Sequence, residues 1–352
     1  MSFRRKVLIF GVGWLVLISA LHGYLNVNWP AVLNDHLPIE KRKITVAYIP
    51  VTCQLTCPVT DYISKYSDNG EIFLPRLFQG FPEIKEALIS NKVQAAFIVA
   101  PLAIALASQG VPIKIVYLGH RYGSAVVVRK DGPIKSVPDL RGHTIAIPSR
   151  FSDERLLLFR AMKVWGIKPG EIKMVEMAPP DVSGALAASA IDGFSMGEPF
   201  PSQAEMGGYG KILFPAREYW PDYMSCILVV RQDLIDMRPD IVQTLVDGIA
   251  RSGLWLDKGR PYREDAADFV GRFYYHQKPA LLRWALTNPM DRVVYSPLAP
   301  RKDDFDMVRD LMIETGVLNK KIEFSEYTDT RFSDGAADQA PWRYQAGIAS
   351  AK

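Results

Sequence analysis

Cysteine is scarce in this chain: three residues in 352. So small and odd a number excludes a disulfide scaffold and leaves at least one thiol unpaired within the chain. Charge of one sign is scarce too. The formal net charge is +4, and no basic block occurs beyond Arg4–Lys6 and Lys41–Lys43, so a nucleic-acid partner has no electrostatic footprint. No G-x-x-x-x-G-K-[ST] run is present, which excludes a P-loop ATPase within this chain. No repeat of solenoid period is found. What is present is 48% hydrophobic and 23% charged residues, a globular composition. The length accommodates two lobes of ordinary domain size.

At the amino terminus a basic leader, MSFRRK, precedes the apolar run VLIFGVGWLVLISALHGYL, in which His22 alone can charge near neutral pH. As a helix the run is long enough to cross a hydrocarbon core of about 30 Å. Nothing near Ala20–Gly23 fits the small-residue pair of a cleaved signal. Residues 1–25 are therefore expected to be an uncleaved membrane anchor, a cleaved signal being the alternative. The basic leader stays cytoplasmic, which places the rest in the periplasm or another extracytoplasmic space, tethered to the inner membrane. Residues 26–42 carry Asn, Pro and charge without sustained periodicity and are expected to form a stalk.

Strand and helix signals then alternate. KITVAYIPV, EIFLPRLF, QAAFIVA and VPIKIVYLG read as strands; Thr56–Tyr66, FPEIKEALISN and PLAIALASQG read as helices. Pro82 and Pro101 sit near helix starts, where a missing N–H costs nothing. In a second set, strands in GSAVVVRKDGPI, SVPDLRGHTIAI, IKMVEM and DGFSMGEPF alternate with helices in SDERLLLFRAMKVWG and DVSGALAASAI. This alternation predicts βαβ units around largely parallel sheets. SCILVVRQD then leads into a helix-rich region. Residues 331–352, polar and small, are expected to be a flexible tail.

GSAVVVRKD and SCILVVRQD share the pattern small–apolar–Val–Val–Arg–polar–Asp, and each stands where one alternating set gives way to the next. They fit paired crossover strands joining two α/β lobes, residues 43–125 with 227–330 and residues 126–226. With those segments in order, the chain resembles the periplasmic solute-binding proteins of ABC transporters, in the nitrate/sulfonate/bicarbonate-binding group with its thiamine-pyrimidine relatives. The resemblance runs over residues 43–325. It is carried by ITVAYIPV, RLFQGFPEIKEALISNKVQAAFIVAPLAIALASQG, SVPDLRGHTIAIPSRFSDERLLL, DGFSMGEPF, ILVVRQDLIDMRPDIV and SGLWLDKGRPYREDAADFV. The Cys-rich turn after the first strand departs from the group's pattern.

The resemblance implies an α/β, two-lobed type II periplasmic binding protein fold with an N-terminal membrane helix. It implies a non-enzymatic importer component with no cofactor, whose partners are a small polar or anionic ligand, an ABC permease and a separate ATPase. Two rival readings use the same fold: a pyrimidine-precursor synthase-like enzyme with a cysteine-bound metal, and a sensor or accessory protein.

In such a fold the ligand lies at the carboxyl ends of parallel strands, against helix N-termini that attract anions. The residues placed there are Thr52, Cys53, Gln54, Gln79, Gly80, Ala100, Pro101, His120, Arg121, Ser149, Arg150, Ser152, Glu198 and Phe200. Ser152 also suits a plain N-cap. Arg121 or Arg150 would neutralise an anion, or else lie solvated. Glu198 would repel a simple anion yet accept hydrogen bonds from an amine, a pyrimidine or a protonated acid; its structural alternative is a salt bridge bracing the loop. GFSMG at Gly193–Gly197 matches the G-x-S-x-G nucleophile elbow formally, but Pro199 and Pro201 interrupt the helix that should follow. Cys53 and Cys57 lie at the start of the first helix and Cys226 at the start of the second crossover strand. They read as a Cys53–Cys57 disulfide, as unlinked thiols, or as three converging ligands for a metal or thiophilic group.

Overall fold

The computed structural model describes residues 3–27, 29–38, 41–66 and 70–347. The chain divides into two units, residues 1–43 and 44–352. In the first, α1 (Phe3–Asn26) is one continuous 24-residue helix, about 36 Å long at 1.5 Å per residue. Its apolar side chains, among them Leu8, Leu15 and Leu17, are exposed. The expected stalk is not wholly irregular, because Trp29–Asp35 forms a short helix, α2. In its last turn Asn34 closes the loop that follows, its side chain accepting from Lys43 N and donating to Lys43 O, both at 2.8 Å.

The second unit opens with β1 (Thr45–Tyr48), α3 (Thr56–Lys65), β2 (Leu74–Leu77) and α4 (Phe81–Ile89). Then come β3 (Ala95–Val99), α5 (Ala100–Ser108) and β4 (Ile113–Leu118). The first crossing includes β5 (Arg121–Tyr122) and enters β6 (Ser124–Arg129). Beyond it lie β7 (Thr144–Ile147), α6 (Asp153–Val164), β8 (Lys173–Glu176), α7 (Val182–Ala187) and β9 (Gly193–Gly197). This part closes with α8 (Phe200–Met206), β10 (Gly210–Pro215) and α9 (Ala216–Tyr219). The return strand is β11 (Cys226–Arg231), followed by α10 (Gln232–Met237), α11 (Pro239–Leu256), α12 (Arg260–Val270) and α13 (Pro279–Thr287). Last come β12 (Val293–Val294), α14 (Lys302–Glu314), α15 (Phe324–Tyr327) and α16 (Arg331–Gly335).

Two five-stranded sheets result, in the orders β2-β1-β3-β11-β4 and β10-β6-β9-β7-β8. They are mixed rather than largely parallel. β1 runs parallel to β2 and β3, and β7 parallel to β8 and β9. The crossover strand in each sheet runs against its neighbours: β11 is antiparallel to β3 and β4, and β6 to β9 and β10. β11 and β6 enter their sheets from the crossing, opposite in direction to strands that arrive from a helix on the sheet's face. β3 is buried at every position, as a central strand covered on both faces must be.

The stretch after Arg331 is not a loose tail as far as it is described. Trp342 is buried; its indole N–H donates to Ser252 Oγ at 2.9 Å, and the Trp255 indole donates to Tyr344 O at 2.9 Å. The apolar content that composition averaging hides, one tryptophan and one tyrosine, is what holds it. Residues 348–352 lie outside the described residues.

Candidate functional site

Where the chain crosses between the sheets, the two crossings bond to each other. Gly119 N donates to Cys226 O at 2.6 Å, Ser225 N to His120 O at 3.1 Å, and Tyr122 N to Tyr223 O at 3.0 Å. Residues 119–122 and 223–226 thus form a two-stranded link. A Cβ on Gly119 would stand 2.1 Å from the Cys53 carbonyl oxygen, an approach open only to glycine.

The ends of strands from both sheets meet beside this link. After β1, Thr52–Gln54 form a buried 3-10 turn. Across the seam, Thr52 N donates to Glu198 O at 2.9 Å, and Thr52 Oγ1 lies 3.3 Å from both Glu198 O and His120 Nε2. The turn is held from behind by Tyr295, whose hydroxyl donates to Thr52 O at 2.9 Å, and by Tyr275, whose hydroxyl donates to Val51 O at 2.8 Å. Gln54 is committed to structure: its Oε1 accepts from Ile49 N at 2.6 Å and its Nε2 donates to Cys226 Sγ at 3.4 Å. Burial pushes His120 down to about 3, so its ring is neutral, and its Nδ1 has no hydrogen-bond partner among the described residues.

A second contact across the seam joins Ala100, at the start of α5, to Asp153, at the start of α6: Ala100 N donates to Asp153 Oδ2 at 3.3 Å. Ser152 is the N-cap of α6, its Oγ accepting from Arg155 N at 3.2 Å. Ser124 Oγ donates to Glu154 Oε1 at 3.2 Å, and Tyr223 OH donates to Ser124 Oγ at 3.1 Å. Among the described residues Asp153 Oδ1 and Glu154 Oε2 have no hydrogen-bond partner, although the Ser124 and Ser152 hydroxyls both favour the ionised Glu154. Burial raises the pKa of both carboxyls, and Glu154 raises Asp153 further. The sequence reading passed over Asp153, Glu154, Ser124 and Tyr223. The two acids look like ordinary first-turn residues of a helix; the clue was their place directly after a strand that ends at the crossing.

Thr52, Cys53, Gln54, Ala100, His120, Ser152 and Glu198 lie along this seam, with Pro101 and Phe200 buried in the first turns of α5 and α8. Ser149 sits one turn earlier, its Oγ accepting from Phe151 N at 3.0 Å. Gln79 is exposed, its N–H donating to Glu83, and Gly80 caps α4. Neither arginine supplies a free cation here. Arg121 is bound to Asp304 at 2.7 Å and to Asp222 O at 3.0 Å. Arg150 is exposed, over the ring of Phe151. The Glu198 carboxylate accepts from Arg292 at 2.6 Å and from Ser202 N at 3.1 Å, so it braces its loop while its backbone carbonyl meets Thr52.

The Cys53–Cys57 disulfide is not formed: all three cysteines are free and buried. Cys57 lies within the first turn of α3, whereas Cys53, in the turn before it, interacts with Cys226. Burial and the Cys53 thiol push Cys226 up, and burial does the same to Cys57. Nor do the three thiols converge; among the described residues no group of three or more His, Cys, Asp or Glu is placed to hold a metal. Ser195 of the G-x-S-x-G match is in mid-strand, donating to Glu154 O at 3.0 Å.

The fold has counterparts among known proteins. The model of the NMT1-like family matches residues 38–271. The chain belongs to the NMT1-like family. The taurine-binding periplasmic protein of Escherichia coli K12 is 34% identical over 192 residues, 53% of this chain and 56% of that protein. The nitrate/nitrite binding protein NrtA of Nostoc sp. PCC 7120 is 25% identical over 148 residues, 42% of this chain and 34% of that protein. The chain thus spans about half the length, or less, of these curated relatives. A ligand-binding component of an ABC-type import system from Staphylococcus aureus, with zinc bound, superposes with a TM-score of 0.75 at 24% identity, covering 83% of this chain and 98% of that one. The periplasmic nitrate-binding protein NrtA of Synechocystis PCC 6803 gives 0.72 at 15% identity, covering 84% and 88%. The fold is that of the periplasmic binding proteins. It is not confined to them: the desulfurization enzyme DszB gives a TM-score of 0.60 at 14% identity, covering 84% and 98%.

Proposed function

We propose that this NMT1-like chain is the extracytoplasmic solute-binding component of an ABC importer. It captures a small polar ligand between its two sheets and delivers it to a permease driven by a separate ATPase. The observation that carries this reading is the paired crossing: two antiparallel links beside strand ends that touch through Thr52–Glu198 and Ala100–Asp153. Such links let two lobes part and close without separating. The lobes are residues 43–125 with 227–330, and 126–226. Catalysis forms no part of the reading, because Ser195 is bonded to a backbone carbonyl and Cys226 is held as a thiol by burial. Helix α1, whose basic first turn leads into the apolar span Val7–Asn26, anchors the chain in the inner membrane.

Small-angle scattering and calorimetry with sulfonates, nitrate and bicarbonate test the binding reading. Saturable binding at one site per chain, with a fall in radius of gyration, is expected. An unchanged profile and no heat across the series would count against it. Carbonate extraction tests the anchor: the full chain should stay with the membrane, and release of the intact chain would refute tethering.

A further inference from the structure

Asp153 and Arg155, two positions apart in α6, point to opposed sides of the helix. Asp153 turns to Ala100 at the seam. Arg155 lies back along α6, its guanidinium 4.6 Å over the Phe159 ring and its Nη1 donating to Thr315 Oγ1 at 3.4 Å. Arg150, exposed in the loop before the helix, covers the Phe151 ring at 4.8 Å. Beside these two arginines opens a cavity of about 410 Å³, large enough for a small ligand. Arg150, Phe151 and Arg155 form one wall; Thr315, Val317 and Asn319 form the other. The first wall follows β7 and the second ends α14, so each of the two proposed lobes supplies one.

Among the described residues no acid lines the cavity, and neither arginine is in an ion pair. The acids nearby are spent or distant. Glu314 pairs with Lys163 at 2.8 Å, and Glu176 acts on Arg155 through its charge alone. Burial lowers the pKa of Arg155, and Arg150 lowers it further against the pull of Glu176. The two cations therefore feel each other.

Capping α14 does not account for them. Leu311 O accepts from Thr315 N at 2.9 Å, Met312 O from Val317 N at 2.8 Å, and Ile313 O from Gly316 N at 3.1 Å, so the turn closes those carbonyls itself. What that helix end retains is about half a negative charge, against two whole positive ones. The Thr315 hydroxyl spends its proton on Leu311 O at 2.8 Å, so it holds Arg155 in place and offers an anion nothing. Guanidiniums steadied on aromatic rings and left without a carboxylate suit the oxygens of an oxyanion. Asn319 brings a side-chain amide from the second wall.

We propose that Arg150 and Arg155 hold a doubly charged oxyanion of the phosphate or sulfate kind, at a second site apart from the solute seam, and that this anion latches the two walls together. The latch rests on the two-lobed binding-protein reading; the anion site itself does not.

Inorganic phosphate is the probe, sulfate the second dianion, and sodium chloride of equal ionic strength the control, because screening alone shifts exposed charges. On the full chain, calorimetry should give one saturable phosphate site. The thermal midpoint should exceed that in matched chloride, and scattering without added solute should show a smaller radius of gyration. Arg155→Gln should weaken phosphate at least tenfold and leave the heats with sulfonates, nitrate and bicarbonate unchanged. Arg150→Gln, at an exposed position, should also weaken phosphate tenfold and decides the matter should Arg155→Gln fail to fold. Phosphate binding no better than chloride, or equally strong in the folded variants, would overturn the site. Saturable, arginine-dependent binding with an unchanged radius of gyration would overturn the latch. Failure of the binding-protein reading shows separately, as no heat with any of the solutes while the phosphate site still titrates.

Discussion

Thr52 and Glu198 join the two sheets through one carbonyl: the Thr52 N–H donates to Glu198 O at 2.9 Å, and the Thr52 hydroxyl lies 3.3 Å from the same oxygen. Thr52→Val keeps the shape and the N–H but removes the hydroxyl, leaving His120 Nε2 without its neighbour. A loss of about 1–3 kcal/mol is expected, read from urea unfolding. An unchanged midpoint would mean that water replaces the hydroxyl at no cost.

Gly119→Ala drives a methyl into the Cys53 carbonyl, 2.1 Å from the ideal Cβ position. Backbone on both sides leaves nothing flexible to yield. The expected penalty is about 3 kcal/mol, seen as a lowered thermal midpoint. A variant as stable as the parent would show that the link relaxes freely.

The thiols give a chemical check. Cys53, Cys57 and Cys226 are buried and unlinked. Cys226 and Cys57 are pushed up by burial, which keeps them protonated and unreactive. Alkylation without reductant should be negligible in the native chain and reach all three sites after denaturation. A mass showing one alkylated cysteine in the denatured, unreduced chain would restore a disulfide.

The acids at the seam set a pH dependence. Asp153 and Glu154 have native pKa values raised above their ordinary 3.8 and 4.5, so the folded, ligand-free chain holds more protons than the unfolded one. Their stabilising contribution is full below those ordinary values and is lost as pH rises through the raised native ones. The ligand-free midpoint should therefore fall from mildly acidic towards neutral pH. Asp153→Asn should flatten the slope; a slope equal to that of the parent would place the titration elsewhere.

At the carboxyl end, Trp342 is buried at 2% exposure, bonded to Ser252 and covered by Arg251. Trp342→Ala should cost about 3–5 kcal/mol, measured by denaturant titration. A cost below about 1 kcal/mol would mean that the stretch after α16 contributes little to the fold.

Much of the architecture was legible because periodicity and punctuation are local. Thr56–Tyr66 became α3 almost to the residue, and the repeated Val–Val–Arg pattern marked both crossover strands. Strand direction was not legible, since a strand buried on both faces reads as continuous apolar sequence whichever way its neighbours run. β10 was missed because its outer positions are only half covered, blurring the alternation that identifies strands. At the site, the turn carrying Cys53 was found from topology, but the fate of its thiol depended on Cys226, far away in sequence. Asp153 and Glu154 were hidden by the opposite problem: acids in a helix's first turn are so ordinary that only their burial singles them out.

The two-stranded link has a dynamic consequence. Strands bonded side by side through Gly119–Cys226, His120–Ser225 and Tyr122–Tyr223 bend across their common plane far more readily than they slide or twist independently. On the proposed binding function, opening would thereby be reduced to a swing about one axis. Each closure would bring Thr52 back to the same carbonyl and Ala100 back to the same carboxylate, so the enclosed volume would be reproducible rather than adaptable. A chain with this pivot would discriminate among solutes by whether they fit a fixed frame.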